Sequence, residues 1–378
     1  MGKTNIESQE MLDFKAELRG LLINEGSQLK AVNRLVIDGP SASNPQLRTF
    51  LIGLTNSLRQ CNCDITKLMP EDLNKNPYFS KIKFPKLGEG IQVGTLLLES
   101  NRRMTRKIAG PYKCPTRDPN TLELIQHMCV FPDTVYFPAV SEKNGERCWM
   151  SVEPSEINSF EKIIENAHGN VLLFGCGLCY AAYMIALKDN VTSVTVVDIN
   201  PNMVELCQKH VVPQFEEHVQ AKINFEISDA IGYMETKGDL FDYINVDIWY
   251  STDDMLITYL RCMGIEQKLD GIDVSYWLEE KLMIEMQSAF MRAFCNYEYS
   301  GNCNIGDVLM MQIAGDILSE SSISIATPDD FKKFINMDVV TFRKRMLQWY
   351  LKNKDMVDQT DVTPASMLNL LNRVGRKH

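Results

Sequence analysis

The sequence lacks any apolar run approaching the roughly 20 residues needed to cross a bilayer. Runs such as "VLLF" (171–174) and "VTVV" (194–197) fall far short of it. The opening "MGKTNIESQEMLDF" has no apolar leader core, and Ile6 stands where an N-myristoylation pattern needs Ser or Thr. No membrane partner is therefore expected, and a cytoplasmic location is. Excess positive charge is missing as well: 39 Lys and Arg against 49 Asp and Glu give a net charge of −10. Such a balance repels a phosphate backbone, so nucleic acid is not an expected partner. The basic runs "NRRMTRK" (101–107) and "FRKRM" (342–346) lie on helix-like patterns and read as solvated faces. Metal-ligand spacing is also absent. Cys61-x-Cys63 and Cys176-x-x-Cys179 have no second pair with histidines at zinc-ligand spacing, so no metal is expected. The eleven cysteines sit mostly singly in apolar stretches, as small buried hydrophobes of a reducing compartment. Internal repeats and low-complexity tracts are lacking too.

What is present is a chain of 378 residues, 45% of them hydrophobic, long enough for two or three domains and a sizeable core. Residues 1–130 read as a helical N-terminal domain. "SQEMLDFKAELRGLLINE" and "PQLRTFLIGLTNSLRQ" place apolar residues at three- and four-residue steps, with starts at Ser8 and at Asn44-Pro45. A Pro/Gly/Asn-rich connector over 68–90 and a further helix over 91–108 complete that reading. Residues 131–165 hold a β-hairpin and a linker helix: two runs of β-formers flank Asn144-Gly145, and Ser155 is placed to cap the helix.

Residues 166–275 alternate strand and helix: strands over 171–174, 191–198, 222–228 and 241–247, helices over 179–189 and 201–215. Strands apolar throughout and separated by helices form a parallel sheet covered on both faces. Helical periodicity then returns over 253–267, 277–299, 304–318, 329–353 and 363–375, so 276–378 is a helical C-terminal extension. The fold class is α/β, a Rossmann-like parallel sheet between these parts.

In such sheets ligands bind beyond the carboxyl ends of the strands. Those ends are "FGCG" (174–177), "VVDIN" (196–200), "ISDA" (227–230) and "NVDIW" (245–249). Gly175 and Gly177 let the backbone approach a ligand closely. Asp198, 21 residues after Gly177 at the tip of the next strand, can accept both hydroxyl hydrogens of a ribose. A dinucleotide loop wants a third glycine at 180, beside the pyrophosphate, and this chain has Tyr180 there. S-adenosyl-L-methionine carries no phosphate, so the residues favour the sulfonium cofactor.

"VLLFGCG", "VTVVDINPNMVELCQKH", "FEISDAIGYM" and "FDYINVDIW" together resemble the successive cofactor motifs of the class I S-adenosylmethionine-dependent methyltransferases, most closely their spermidine-synthase-like branch, over residues 166–275. The resemblance implies a site for S-adenosyl-L-methionine or S-adenosyl-L-homocysteine. Gly175, Cys176 and Gly177 would contact the methionine part through their backbone, Asp198 would hold the ribose, and Ile199 would lie against adenine. Asp229 would take the adenine amine, the Ala230 amide would meet a ring nitrogen, and Asp247 would face the reacting centre as the catalytic candidate. Trp249 and Tyr250, at the tip of the same strand, either line an acceptor pocket or belong to the core. Plain helix capping also accounts for Asp198, Asp229 and Asp247.

The chain departs from the family at several points. Phe174 stands where many members carry an acidic residue, and Cys179 replaces the third glycine. Leu178 and Tyr250 occupy positions where polyamine synthases place aspartates. The closing antiparallel hairpin of the sheet is not found, unless "GIDVSYW" (271–277) is the fifth strand and helices replace the rest. Aminopropyl transfer needs carboxylates to hold a cationic amine and take its proton, whereas methyl transfer needs mainly alignment in a dry site. The expectation is therefore a methyltransferase acting on a small molecule, with an amine favoured by the acidic balance. Aminopropyl transfer is the first alternative, a non-catalytic nucleotide-binding or scaffolding protein the second, and an NAD-dependent oxidoreductase the third. A small-molecule substrate is the expected partner, and a homo-oligomer is left open.

Overall fold

The computed structural model describes residues 8–34, 62–68, 70–86, 88–104, 111–131, 135–142, 148–297, 305–320 and 322–359. At its centre, five strands run parallel in the order β10-β9-β8-β11-β12. They are β8 (Gly169–Phe174), β9 (Val191–Asp198), β10 (Ile223–Ile227), β11 (Tyr243–Val246) and β12 (Asp273–Tyr276). The order reverses between β8 and β11, and at that switch point the strand ends diverge and leave a crevice. Val171, Leu172, Leu173 and Phe174 are all buried because both faces of β8 are covered. Helices Glu161–Asn166, Tyr180–Ala186 and Pro201–Leu206 pack one face, with Tyr78 and Ile82. Helices Ala230–Lys237, Thr252–Glu266 and Glu279–Phe294 and the C-terminal helices pack the other.

"GIDVSYW" does supply the fifth strand, β12, and helices follow it. Its open edge is met from the C-terminal helix Val339–Asp358. Arg343 donates to the Val274 carbonyl at 3.0 Å and binds Glu279 through two nitrogens and Glu266 through one. An edge that would otherwise recruit another strand is thereby closed by a side chain. The run expected as one helix over 329–353 is two, Pro328–Ile335 and Val339–Asp358, because Asp338 caps the second by accepting from the Thr341 amide.

Before the central sheet the structure differs from the sequence reading. Helix Gln9–Arg34 is present, with Ser8 accepting from the Met11 amide as expected. It packs against helices of the C-terminal extension rather than founding a helical domain. The helix expected over 91–108 is instead β2 (Ile91–Val93) and β3 (Leu96–Met104). Gly94 turns the chain between them in the left-handed region, and Leu96 and Leu98 are buried at a two-residue step. β2 and β3 join β6 (Val135–Glu142) and β7 (Cys148–Ser151) in an antiparallel sheet of order β2-β3-β6-β7. β6 and β7 are the strands of the expected hairpin, whose Asn144-Gly145 tip lies outside the described residues. A second sheet, β1-β5-β4, uses β1 (Cys63–Lys67), β4 (Pro111–Arg117) and β5 (Leu124–Val130). The described part of 62–151 is thus predominantly strand. Three candidate features, the helices over 45–60 and 363–375 and residue Cys61, lie outside the described residues.

Candidate active site

Every residue singled out from the sequence as a cofactor or substrate contact lines one cavity of about 640 Å³ at the carboxyl ends of the central strands. These are Gly175, Cys176, Gly177, Asp198, Ile199, Asp229, Ala230, Asp247, Trp249 and Tyr250. The β6–β7 hairpin and the helix after it supply a facing wall, including Met150, Glu153, Glu156 and Phe160.

The loop after β8 is shaped by its neighbours. A side chain on Gly175 would put its Cβ 2.1 Å from the Asp247 carbonyl oxygen, and its φ is 90°. Only glycine meets both conditions. Cys179, at the third-glycine position, keeps the left-handed conformation (φ 59°) without being glycine. Beneath the loop, the Cys207 thiol donates to the Gly177 carbonyl at 3.2 Å and lies 3.9 Å from the Cys176 sulfur. That contact and burial hold the Cys176 thiol well above its ordinary pKa. Tyr180 begins the following helix. Its ring packs edge-on against Tyr78, and its hydroxyl accepts from Asn76 at 3.2 Å.

The carboxylates differ in what they hold. Asp198 accepts the Cys176 amide at 3.0 Å and the Asn200 amide at 2.8 Å, so it ties the loop to the turn after β9. Asn200, not Asp198, caps helix Pro201–Leu206. Asp229 caps helix Ala230–Lys237 through the Gly232 amide at 2.8 Å. Asp254 accepts the Tyr250 and Ser251 amides. Glu153 accepts from the Ser155 hydroxyl at 3.2 Å, and Ser155 itself lies inside helix Pro154–Ser159 rather than capping it. The side-chain carboxyls of Asp247 and Glu156 have no hydrogen-bond or ion-pair partner among the described residues. Burial holds the Asp247 carboxyl well above the usual carboxylate range, with Asp198 adding to it. Burial does the same to Glu156, followed by the charges of Asp247 and Glu153. Two such groups in one cavity without a cation resist ionising together.

Aromatic side chains complete the cavity. Phe160 stacks on Trp277 with centroids 6.1 Å apart, and Trp249 donates to the Trp277 carbonyl at 3.1 Å. Trp249 is buried, whereas Tyr250 reaches across to donate to the Cys148 carbonyl of β7. Ile199 is 71% exposed, an apolar side chain at the rim beside Asp198. Such exposure suits a residue that covers a ring.

Sequence reasoning overlooked Glu156, Asp254 and Trp277, which also line the cavity. Glu156 was legible in one respect: it follows Glu153 at a three-residue step after a proline start, which puts both on one face of a turn. Glu153, just before helix Pro154–Ser159, lines the cavity, whereas Tyr136 of β6 does not. His168 and His210 lie outside it as well. Among the described residues no His, Cys, Asp and Glu group has the arrangement to hold a metal, and no helix is long and apolar enough to cross a membrane.

Residues 155–303 match the family model described as spermine/spermidine synthase domain, a span that begins in helix Pro154–Ser159, takes in the central sheet and ends nine residues beyond helix Glu279–Phe294. No curated protein matches the chain. Among solved structures, the spermidine synthase from Thermotoga maritima is similar at 11% identity over 41% of this chain, with a TM-score of 0.29. The match takes in 58% of that protein, so this chain spans little more than half its length.

Proposed function

We propose that this protein transfers an aminopropyl group from decarboxylated S-adenosylmethionine to an amine. The observation that carries the reading is the charge of the cavity. Six carboxylic side chains line it, Glu153, Glu156, Asp198, Asp229, Asp247 and Asp254, and no Lys, Arg or His does so among the described residues. S-adenosylmethionine would bring its own carboxylate into that field with no cation to receive it. The decarboxylated donor carries only cations, a sulfonium and an ammonium, and the amine acceptor adds another. The family matched over 155–303 supports the same choice. Methyl transfer ranked first on the sequence because Leu178 and Tyr250 stand where polyamine synthases carry aspartates. Glu153 and Glu156 bring two carboxylates from the opposite wall instead.

In this reading Asp198 receives the ribose hydroxyls, Ile199 covers the adenine, and the exposed side of Asp229 receives the adenine amine. Asp247, its carboxyl without a partner among the described residues at the tip of β11, ionises beside the incoming cations and then takes the proton of the acceptor ammonium. The freed nitrogen lone pair attacks the propyl carbon beside the sulfonium. The carbon–sulfur bond breaks, its electron pair neutralises sulfur, and methylthioadenosine leaves. The stacked Phe160 and Trp277 and the buried Trp249 keep water from the reacting carbon. Methyl transfer to an amine is the second reading, and Leu178 and Tyr250 favour it.

Incubation with decarboxylated S-adenosylmethionine and 1,4-diaminobutane, followed by mass spectrometry of the amine, tests the proposal. An amine extended by one aminopropyl unit is expected. A methylated amine formed from S-adenosylmethionine, with no extended product, would replace this reading by the second.

A further inference from the structure

Four of the six cavity carboxylates are engaged. Asp198 holds two amides, Asp229 caps a helix, Asp254 holds the amides of Tyr250 and Ser251, and Glu153 holds the Ser155 hydroxyl. Asp247 and Glu156 remain. They come from different walls: Asp247 from the end of β11 against the Gly175 loop, Glu156 from the helix that follows the hairpin. Glu156 also lies close enough to Tyr180 for its charge to act on that hydroxyl. It lines the cavity together with Leu178 and Tyr180.

Position 178 itself cannot supply a charge. Leu178 is fully buried, and its carbonyl accepts from the Tyr78 hydroxyl at 2.5 Å, fixing the loop backbone with the side chain in the core. Tyr250 is committed to the hairpin through Cys148. A donor whose ribose lies on Asp198 and whose sulfonium faces Asp247 extends its propyl tail toward the loop and the helix Pro154–Ser159. The cavity carboxyl from that helix, without a side-chain partner among the described residues, is Glu156.

We propose that Glu156 is the specificity-determining residue of the donor site: its carboxylate receives the terminal ammonium of a decarboxylated sulfonium nucleoside and repels the carboxylate of the undecarboxylated one. This rests on the aminopropyl reading given above. Without a ligand, Glu156 lines the cavity with Asp247, Glu153, Asp198, Tyr180 and Cys176, and burial and then the charges of Asp247 and Glu153 oppose its ionisation. An arriving ammonium is the missing counterion. It lets Glu156 ionise and release its proton.

The test is calorimetry on the full chain with three probes: decarboxylated S-adenosylmethionine, S-adenosylmethionine, and methylthioadenosine, which has no charged tail. The wild-type protein should prefer the decarboxylated donor by at least about tenfold, and Glu156→Gln should reduce that preference by about 10- to 100-fold. Glu156→Asp should keep part of it. Methylthioadenosine should bind the wild-type and Glu156→Gln proteins equally. A wild-type preference for decarboxylated donor that survives Glu156→Gln would overturn the assignment and leave the aminopropyl reading standing. A parallel loss of methylthioadenosine affinity in Glu156→Gln would overturn it in favour of a structural role. A wild-type preference for S-adenosylmethionine would overturn both.

Discussion

At the residue scale, the site is a set of carboxyl groups sorted by what their surroundings leave them to do. Asp198 joins the glycine loop to the turn after β9 and retains lone pairs toward the cavity. Asp198→Ala should weaken methylthioadenosine binding by about 2 to 3 kcal/mol, the cost of a charge-assisted pair, and calorimetry would read it. Unchanged affinity would remove the ribose from this carboxylate. Asp247 and Glu156 make a prediction of the opposite kind. Burial raises their folded-state pKa values above those of the unfolded chain. The stability they contribute is thus complete below the unfolded value, about pH 4, and is lost as pH rises through the folded value. Asp247→Asn should therefore melt with the wild type near pH 4 and increasingly above it toward pH 8. A wild-type advantage that grows with pH would mean that a cation partners the carboxylate.

At the element scale, the central sheet was legible because its strands are short, apolar on both faces and separated by helices, a pattern with few other solutions. Val191–Asp198 coincides with the expected strand at both ends. The strands of 62–130 were not legible, because "TLLLES" carries helix-favouring leucines whose two-residue burial emerges only once β6 lies beside them. The same blindness hid Glu156, since nothing in the sequence says that a hairpin some 90 residues before β11 closes over its tip. The C-terminal extension is tied to the sheet by Arg343, whose loss would strand Glu279, Glu266 and an edge carbonyl together. Arg343→Ala should destabilise the fold by about 3 kcal/mol, measured as a lowered urea midpoint. A change below about 0.5 kcal/mol would make the cluster a solvated surface network.

At the scale of the whole molecule, one buried knot links the parts that sequence separates. Arg117 of β4 meets Glu25 of the first helix at 2.5 Å and Ser288 of helix Glu279–Phe294 at 2.7 Å. The first helix and the C-terminal extension thereby pack into the same core as the sheet, which carries the cavity at its switch point. Six of the chain's 49 acidic side chains line the cavity, with no Lys, Arg or His among the described lining residues. Such a field draws a diamine inward, and salt screens it. Raising ionic strength from about 0.05 M to about 0.5 M should raise the KM for 1,4-diaminobutane while leaving methylthioadenosine inhibition nearly unchanged. The charge argument is tested most directly by supplying both donors at equal concentration with 1,4-diaminobutane and identifying the nucleoside released. The account predicts methylthioadenosine from the decarboxylated donor, with S-adenosylmethionine left intact. Accumulation of S-adenosylhomocysteine would contradict it.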